Sequence, residues 1–220
     1  LCRADAAHQH DLSSLRQCMS AAEILSEDVF NEWKSLTGLP PIEGLGSTEL
    51  LHVYLSNTAE EQRLGAAGKA VPGYEIKLLD HDGAPVASGE DGIMYVRGHS
   101  SAPCYWNRPD KTAETMRGDW LYTGDRFIEQ DGFYYFQGRA DDLVKVSGQW
   151  VWPLEVERCL NEHPMVNEAA VIAHEMGDRR MTLSAMISLR DDKTGSSDTA
   201  KLLQDYVKSA LLPHKYPRMI

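Results

Sequence analysis

The sequence predicts a mixed chain, α/β at its start and α+β at its end, divided into stretches 1–60, 61–140 and 141–220. Three patterns predict this. A strand–helix–strand run opens the chain, and a strand-rich middle is punctuated by Asp-Gly pairs. A strand–helix–strand–strand–helix run closes it. At 220 residues the chain has room for one large domain or two smaller ones.

In the first stretch, Leu15 to Ala21 reads as a buried strand or strand end. A helix follows, with Ser26 as N-cap and Glu27 and Asp28 in its first turn, where carboxylates suit the helix dipole. Val29, Phe30, Trp33 and Leu36 supply its apolar face, and Gly38 ends it. IEGLGSTE then reads as a short strand entering a glycine-punctuated loop.

In the middle, YEIKLLD, GIMYVRG, RFIEQ and FYYFQG read as strands. Asp82-Gly83, Asp91-Gly92 and Asp131-Gly132 read as tight turns, the last joining RFIEQ to FYYFQG as a hairpin. A small barrel or curled sheet fits this spacing. In the last stretch Pro153 opens a helix with Val156 and Leu160 inward, and His163-Pro164 stops it. VNEAAVIA and LSAMISLR read as strands, and DKTGSSD as a polar loop. Asp198 reads as the cap of a helix whose face is Leu202, Leu203, Tyr206, Val207 and Ala210.

Composition narrows the function. The apolar fraction of 42% and charged fraction of 25% are ordinary for a globular protein. A net charge of −11 argues against a nucleic-acid or anionic-membrane partner, but allows a nucleotide site built from a few donors. Cys2, Cys18, Cys104 and Cys159 form no C-x-x-C pair, which argues against a disulfide framework or a zinc site and for a reducing compartment. No apolar run approaches a membrane span.

Three short motifs can carry chemistry. In GSTE, Gly46 admits close backbone approach, Ser47 and Thr48 offer hydroxyls to phosphate, and Glu49 offers a hard oxygen to Mg²⁺. A simple helix-capping loop would use the same residues. In TGD, Gly124 frees the backbone, and Asp125 can accept from both hydroxyls of a ribose or be a turn aspartate. In GRADD, Arg139 can pair Asp125, reach ribose and phosphate, or form a surface ion pair.

The order GSTE, GIMYVRG with YWNRPDKTAETM, WLYTGD, and GRADDLVKVSG with PLEVE resembles the adenylate-forming superfamily, from about Leu12 to Ile220. That family includes acyl- and aryl-CoA ligases, luciferases and peptide-synthetase adenylation domains. The resemblance implies the end of a large N-terminal domain, an α/β sheet segment plus a distorted β-barrel, followed by a small α+β lid. It implies that Ser20 to Glu23, including Ala22 and Glu23, and the strand end Glu43-Gly44-Leu45 lie beside adenine. It implies that Thr48 contacts phosphate, Glu49 ligates Mg²⁺, and Asp125 and Arg139 hold ribose. Asp141 would be the hinge, and Lys145, Ser147 and Gly148 the CoA-side loop.

GSTELLHVYLSN is most similar to benzoate- and hydroxybenzoate-type CoA ligases, which implies an acid pocket at Gly46, His52 and Val53. A glycine admits a flat ring, and His52 can meet a polar substituent or be a packed histidine. The implied activity joins a small carboxylic acid to coenzyme A using ATP and Mg²⁺, in the cytoplasm, with a homodimer as candidate assembly and neither nucleic acid nor membrane as partner. A fatty-acyl-CoA ligase, a peptide-synthetase-type adenylation domain and a non-catalytic binding module are the alternatives. The family's phosphate loop and catalytic lysine have no match here, and Lys215 is no substitute, since it precedes Pro217-Arg218. The expectation is a ligase fragment, inactive alone, with an incomplete sheet in its small domain.

Overall fold

In the computed structural model, which describes residues 10–23, 25–177, 180–190 and 194–220, the chain divides into two units, Leu1–Phe136 and Gln137–Ile220. Cys2 and residues 191–193 of the DKTGSSD loop lie outside the described residues.

The first unit opens with β1 (Met19–Ser20), α1 (Glu27–Thr37) and β2 (Ile42–Gly46). Ser26 caps α1, its hydroxyl accepting from Val29 N–H at 3.4 Å, and Gly38 ends it at φ 74°. The buried strand expected over Leu15–Ala21 shrinks to β1, with Met19 54% exposed. β1 pairs in parallel with β2 and sits at the edge of its sheet, and a parallel strand is buried only where both faces are covered. β3 (Val53–Ser56) returns antiparallel to β2, and β4 (Lys69–Ala70) pairs with β3.

The second sheet holds β5 (Tyr74–Leu79), β6 (Asp91–Gly98), β7 (Met116–Arg117), β8 (Trp120–Gln130) and β9 (Phe133–Arg139), in the order β5-β6-β8-β7 with β9 against β8. A short helix, α2 (Pro109–Thr115), precedes β7. Asp131 and Gly132, both at positive φ, turn β8 into β9 as expected. Asp91-Gly92 is not a turn. Both residues lie in β6, and the chain reverses at Ala87–Glu90, where Gly89 takes φ 85°. Gly92 answers a shortage of space, since a Cβ there would lie 3.0 Å from Leu78 and Val86. Leu50, Tyr54 and Leu55 pack with Leu78, Met94, Val96, Leu121 and Phe127 into one core beneath both sheets.

The second unit opens with the hairpin β10 (Val144–Val146) and β11 (Gln149–Val151), followed by α3 (Pro153–Asn161). The antiparallel pair β12 (Val166–Glu175) and β13 (Met181–Leu189) comes next, then α4 (Ser197–Ala210). Pro153 opens α3, and Val156 and Leu160 are fully buried against Val166, Val171, Leu183, Leu203 and Val207. The cap of α4 is Ser196, whose hydroxyl accepts from Thr199 N–H at 3.1 Å; Asp198 stands in the first turn instead. The buried stripe is narrower than expected. Leu203, Tyr206 and Val207 share one face at helical spacing, while Leu202 and Ala210 are exposed. At the end of the chain Arg218 donates to Leu183, and Met219 accepts from Ala185, so these residues run parallel beside β13.

Candidate active site

The corner between β2 and β3 gathers most of the singled-out residues of the first unit. Gly46 sits opposite Val53, and a Cβ on it would lie 2.6 Å from the His52 carbonyl. No side chain fits, so the strands close into one 3₁₀ turn, Thr48–Leu50, ended by Leu51 at φ 66°. Thr48 and His52 are exposed, Glu49 is half-buried, and the Ser47 hydroxyl is buried with no partner among the described residues. His52 is therefore not a packed histidine; its ring nitrogen meets the adjacent Val53 carbonyl, at 3.5 Å.

Long-range contacts hold the turn. The Glu49 carbonyl accepts from Ala102 N–H at 2.7 Å, and the Leu50 carbonyl accepts from the Ser100 hydroxyl at 2.7 Å. Tyr105 donates its hydroxyl to Glu49 Oε1. Burial, and then Glu49 itself, raise the Tyr105 phenol above its ordinary ionisation range.

Asp125 arrives from the other sheet. Between the pairs Tyr95–Tyr122 and Ile93–Arg126, β6 advances two residues while β8 advances four. The surplus on β8 forms a bulge, and Gly124 takes φ 73° inside it. The Thr123 hydroxyl donates to Met94 C=O at 3.0 Å and accepts from Asp125 N–H at 3.0 Å. TGD is thus a mid-strand bulge, not a terminal turn. Tyr54 is almost wholly buried, and its phenol is pushed up by that burial, then by the Asp125 and Glu49 carboxylates.

Glu43, on β2, is 8% exposed. Its Oε1 accepts from Leu25 N–H at 3.1 Å, while Oε2 is buried with no partner among the described residues. Burial raises the Glu43 carboxyl above its usual range, and the Leu25 bond only partly offsets this. The buried Asn57 fixes this strand, donating to the carbonyls of Glu43 and Ala66 and accepting from Arg63 N–H. A Cβ on Gly44 would be crowded, 3.0 Å from the Val53 side chain and 3.2 Å from the Leu55 carbonyl. Leu45 is half-buried against the core. Ala22, at φ 79°, and Glu23 form an exposed bend after β1.

In the second unit Arg139 Nε lies 3.2 Å from Asp141 Oδ1, an exposed ion pair of small energetic weight. Ser147 and Gly148, at φ 51° and 85°, form the tip of the β10–β11 hairpin. Lys145 stands over the Trp150 ring, 5.6 Å from its centroid.

Tyr105, Ser100, Thr123 and Asn57 escape a reading by motif. Thr123 and Tyr105 lie inside quoted motifs, yet what they hold is set by contacts no local pattern encodes.

Among the described residues no three His, Cys, Asp or Glu side chains form a metal cluster. Mg²⁺ does not need one, since it is commonly held by one or two carboxylates together with substrate phosphates. Glu49, with the Thr48 hydroxyl adjacent in the same turn, fits that form. Cys18 and Cys104 carry free thiols, and Cys159 is buried in the second unit. No described helix is long and apolar enough to cross a membrane.

The AMP-binding enzyme family matches residues 1–106, and the AMP-binding enzyme C-terminal domain matches residues 155–220. A benzoate–CoA ligase of Thauera aromatica is 44% identical over 208 residues, covering 94% of this chain and 40% of that protein. A solved anthranilate CoA ligase in complex with anthranoyl-AMP is 40% identical, with TM-score 0.82 over 98% of this chain and 42% of its own. A solved benzoate CoA ligase from Burkholderia xenovorans is 39% identical, with TM-score 0.84 over 94% of this chain and 42% of its own. The chain spans about 40% of the length of the curated relatives it matches.

Proposed function

This chain belongs to the AMP-binding enzyme family, and from that premise we propose that it is part of an AMP-forming CoA ligase acting on an aromatic acid of the benzoate or hydroxybenzoate type. The observation that carries the reading is a pair of built positions in the first unit, the Glu49 turn fastened by Ala102 and Tyr105 and the β8 bulge that sets Asp125. One carboxylate suits a cation at a polyphosphate, and the other suits the two hydroxyls of a ribose.

The reaction has two halves. The acid's carboxylate oxygen attacks the α-phosphorus of ATP; the bond to the β-phosphate oxygen breaks, leaving an acyl-adenylate and pyrophosphate. The CoA thiol, losing its proton, then attacks the activated carbonyl and expels AMP. Asp125 accepts from the ribose hydroxyls, and its bulge sets the direction of that carboxylate. Ala22, Glu23 and the Glu43–Leu45 strand border adenine. Thr48 donates to phosphate oxygen. Mg²⁺, held by Glu49, would offset the charge that gathers on the phosphates. Gly46, His52 and Val53 line the acid pocket, where the missing side chain of Gly46 admits a ring. Arg139 supports the ribose, Asp141 is the hinge of the C-terminal unit, and the Lys145–Gly148 turn meets the pantetheine of CoA.

The reading includes the cytoplasm as compartment, a homodimer as candidate assembly, and neither nucleic acid nor membrane as partner; the net charge of −11 supports the last point. The test is acid-dependent pyrophosphate exchange by the ligase carrying this chain, against aromatic and aliphatic acids. Benzoate or a hydroxybenzoate should lead the aliphatic acids by at least about tenfold in kcat/KM. A lead for fatty acids overturns the aromatic assignment.

A further inference from the structure

The loop after β6 closes on the Glu49 turn from outside the GSTE motif. Ala102 N–H binds the Glu49 carbonyl, the Ser100 hydroxyl binds the Leu50 carbonyl, and the Tyr105 hydroxyl binds Glu49 Oε1. Tyr105 is itself fixed. Its N–H donates to Thr112 Oγ1 at 3.0 Å, its carbonyl accepts from Arg108 N–H at 3.2 Å, and Thr112 Oγ1 donates to the Arg108 carbonyl at 2.9 Å. The start of α2 therefore sets the phenol, and the phenol sets the carboxylate. Tyr74 completes the clamp through its contact with the Ser100 hydroxyl at 2.7 Å.

We propose that Tyr105 is a positioning residue for the nucleotide-bound cation, holding Glu49 in the rotamer that presents its carboxylate to the divalent ion. The inference rests on the reading of Glu49 as the cation's carboxylate. A side chain on a one-turn 3₁₀ segment has little local support. A glutamate also loses substantial rotamer freedom when it binds a cation. A donor already seated on one carboxylate oxygen removes that loss before the ion arrives. Tyr105 touches neither acid nor ribose in this scheme, so its effect should appear in cation dependence and not in acid affinity.

The test compares Tyr105→Phe, Glu49→Gln and the double variant in the ligase carrying this chain. One arm is pyrophosphate exchange against Mg²⁺ concentration, and the other is Mn²⁺ binding with ATP present, read by electron paramagnetic resonance. In Tyr105→Phe, half-saturating Mg²⁺ should rise roughly tenfold, the fold-change of one charge-assisted hydrogen bond, and Mn²⁺–ATP should weaken alike. KM for the acid should stay within about twofold. The double variant should be no worse than Glu49→Gln alone, because the two residues act as one unit. A Tyr105→Phe protein with wild-type Mg²⁺ and Mn²⁺ dependence, beside a Glu49→Gln protein shifted in both, overturns the inference and leaves the functional reading standing. Absence of exchange with every aromatic acid defeats the functional reading, while the Mn²⁺–ATP arm still decides the role of Tyr105. Equal loss in every parameter with a lowered Tm assigns Tyr105 a structural role and overturns the proposal.

Discussion

The Thr123 hydroxyl bridges the Met94 carbonyl of β6 and the Asp125 N–H of its own strand, at 3.0 Å each. One side chain thus both ties the bulge to its neighbour and sets where the next carboxylate leaves the sheet. Thr123→Val removes both bonds at nearly constant shape. The expected cost is about 1–2 kcal/mol in urea unfolding, with KM for ATP raised about three- to tenfold, whereas Thr123→Ser stays near wild type. An unchanged ATP KM in Thr123→Val would show that the bulge needs no lock.

Asp125→Ala tests the carboxylate itself. Loss of two charge-assisted hydrogen bonds to ribose is worth on the order of 2–4 kcal/mol, or roughly 30- to 1000-fold in kcat/KM for ATP. Steady-state kinetics of a folded variant read this directly. An unaltered value removes Asp125 from the nucleotide site.

Gly46→Ala forces a Cβ to about van der Waals overlap with the His52 carbonyl, 2.6 Å away, which is backbone and cannot yield cheaply. Destabilisation of about 1–3 kcal/mol is expected in denaturant unfolding. A stability equal to wild type would mean that the corner relaxes freely.

Glu43 predicts a pH effect. Its carboxyl is raised in the folded state from an ordinary value near 4.5. The folded chain therefore binds this proton more tightly than the unfolded one. Its contribution is fully present below pH 4.5 and is lost as pH rises through the folded value. Glu43→Gln should lack that loss, so the difference in unfolding free energy between the two proteins should change over that window and flatten below it. Parallel pH profiles would refute a raised Glu43.

Asp141→Pro addresses the hinge. A pivot must adopt two sets of backbone dihedrals, whereas proline fixes φ near −65° and restrains Ala140 as well. Pyrophosphate exchange should survive within about tenfold while thioester formation falls by roughly a hundredfold or more. The Arg139–Asp141 pair is exposed, so its loss should hardly touch stability. Equal loss in both half-reactions, with an intact circular dichroism spectrum, counts against a hinge here.

Elements with local signals are legible in the sequence. Ser26 and Gly38 bound α1, Pro153 opens α3, and Asp131-Gly132 turns the β8–β9 hairpin, each through chemistry confined to a few neighbours. Asp91-Gly92 carries the same turn signal as Asp131-Gly132 and yet lies in a strand, because Leu78 and Val86 crowd that glycine from the neighbouring strand and loop. Asp198 yields the cap of α4 to Ser196 two residues earlier, a choice between equivalent capping side chains that sequence alone does not make. In the candidate site, GSTE and TGD are visible as short patterns. The contact of Tyr105 with Glu49 joins residues 56 apart, and the bulge at Gly124 exists only relative to β6. Neither has a periodicity to read.

Anchorage at the β2–β3 corner is uneven over a few residues. Glu49 and Leu50 are fastened by Ser100, Ala102 and Tyr105, while among the described residues His52 meets only the carbonyl of its neighbour. Such a corner divides labour between a fixed part and an interchangeable one. If the proposed acid pocket is right, substitutions at His52 and Val53 would alter the choice of acid without passing strain to the carboxylate, a route for one scaffold to diversify its substrates while keeping its chemistry.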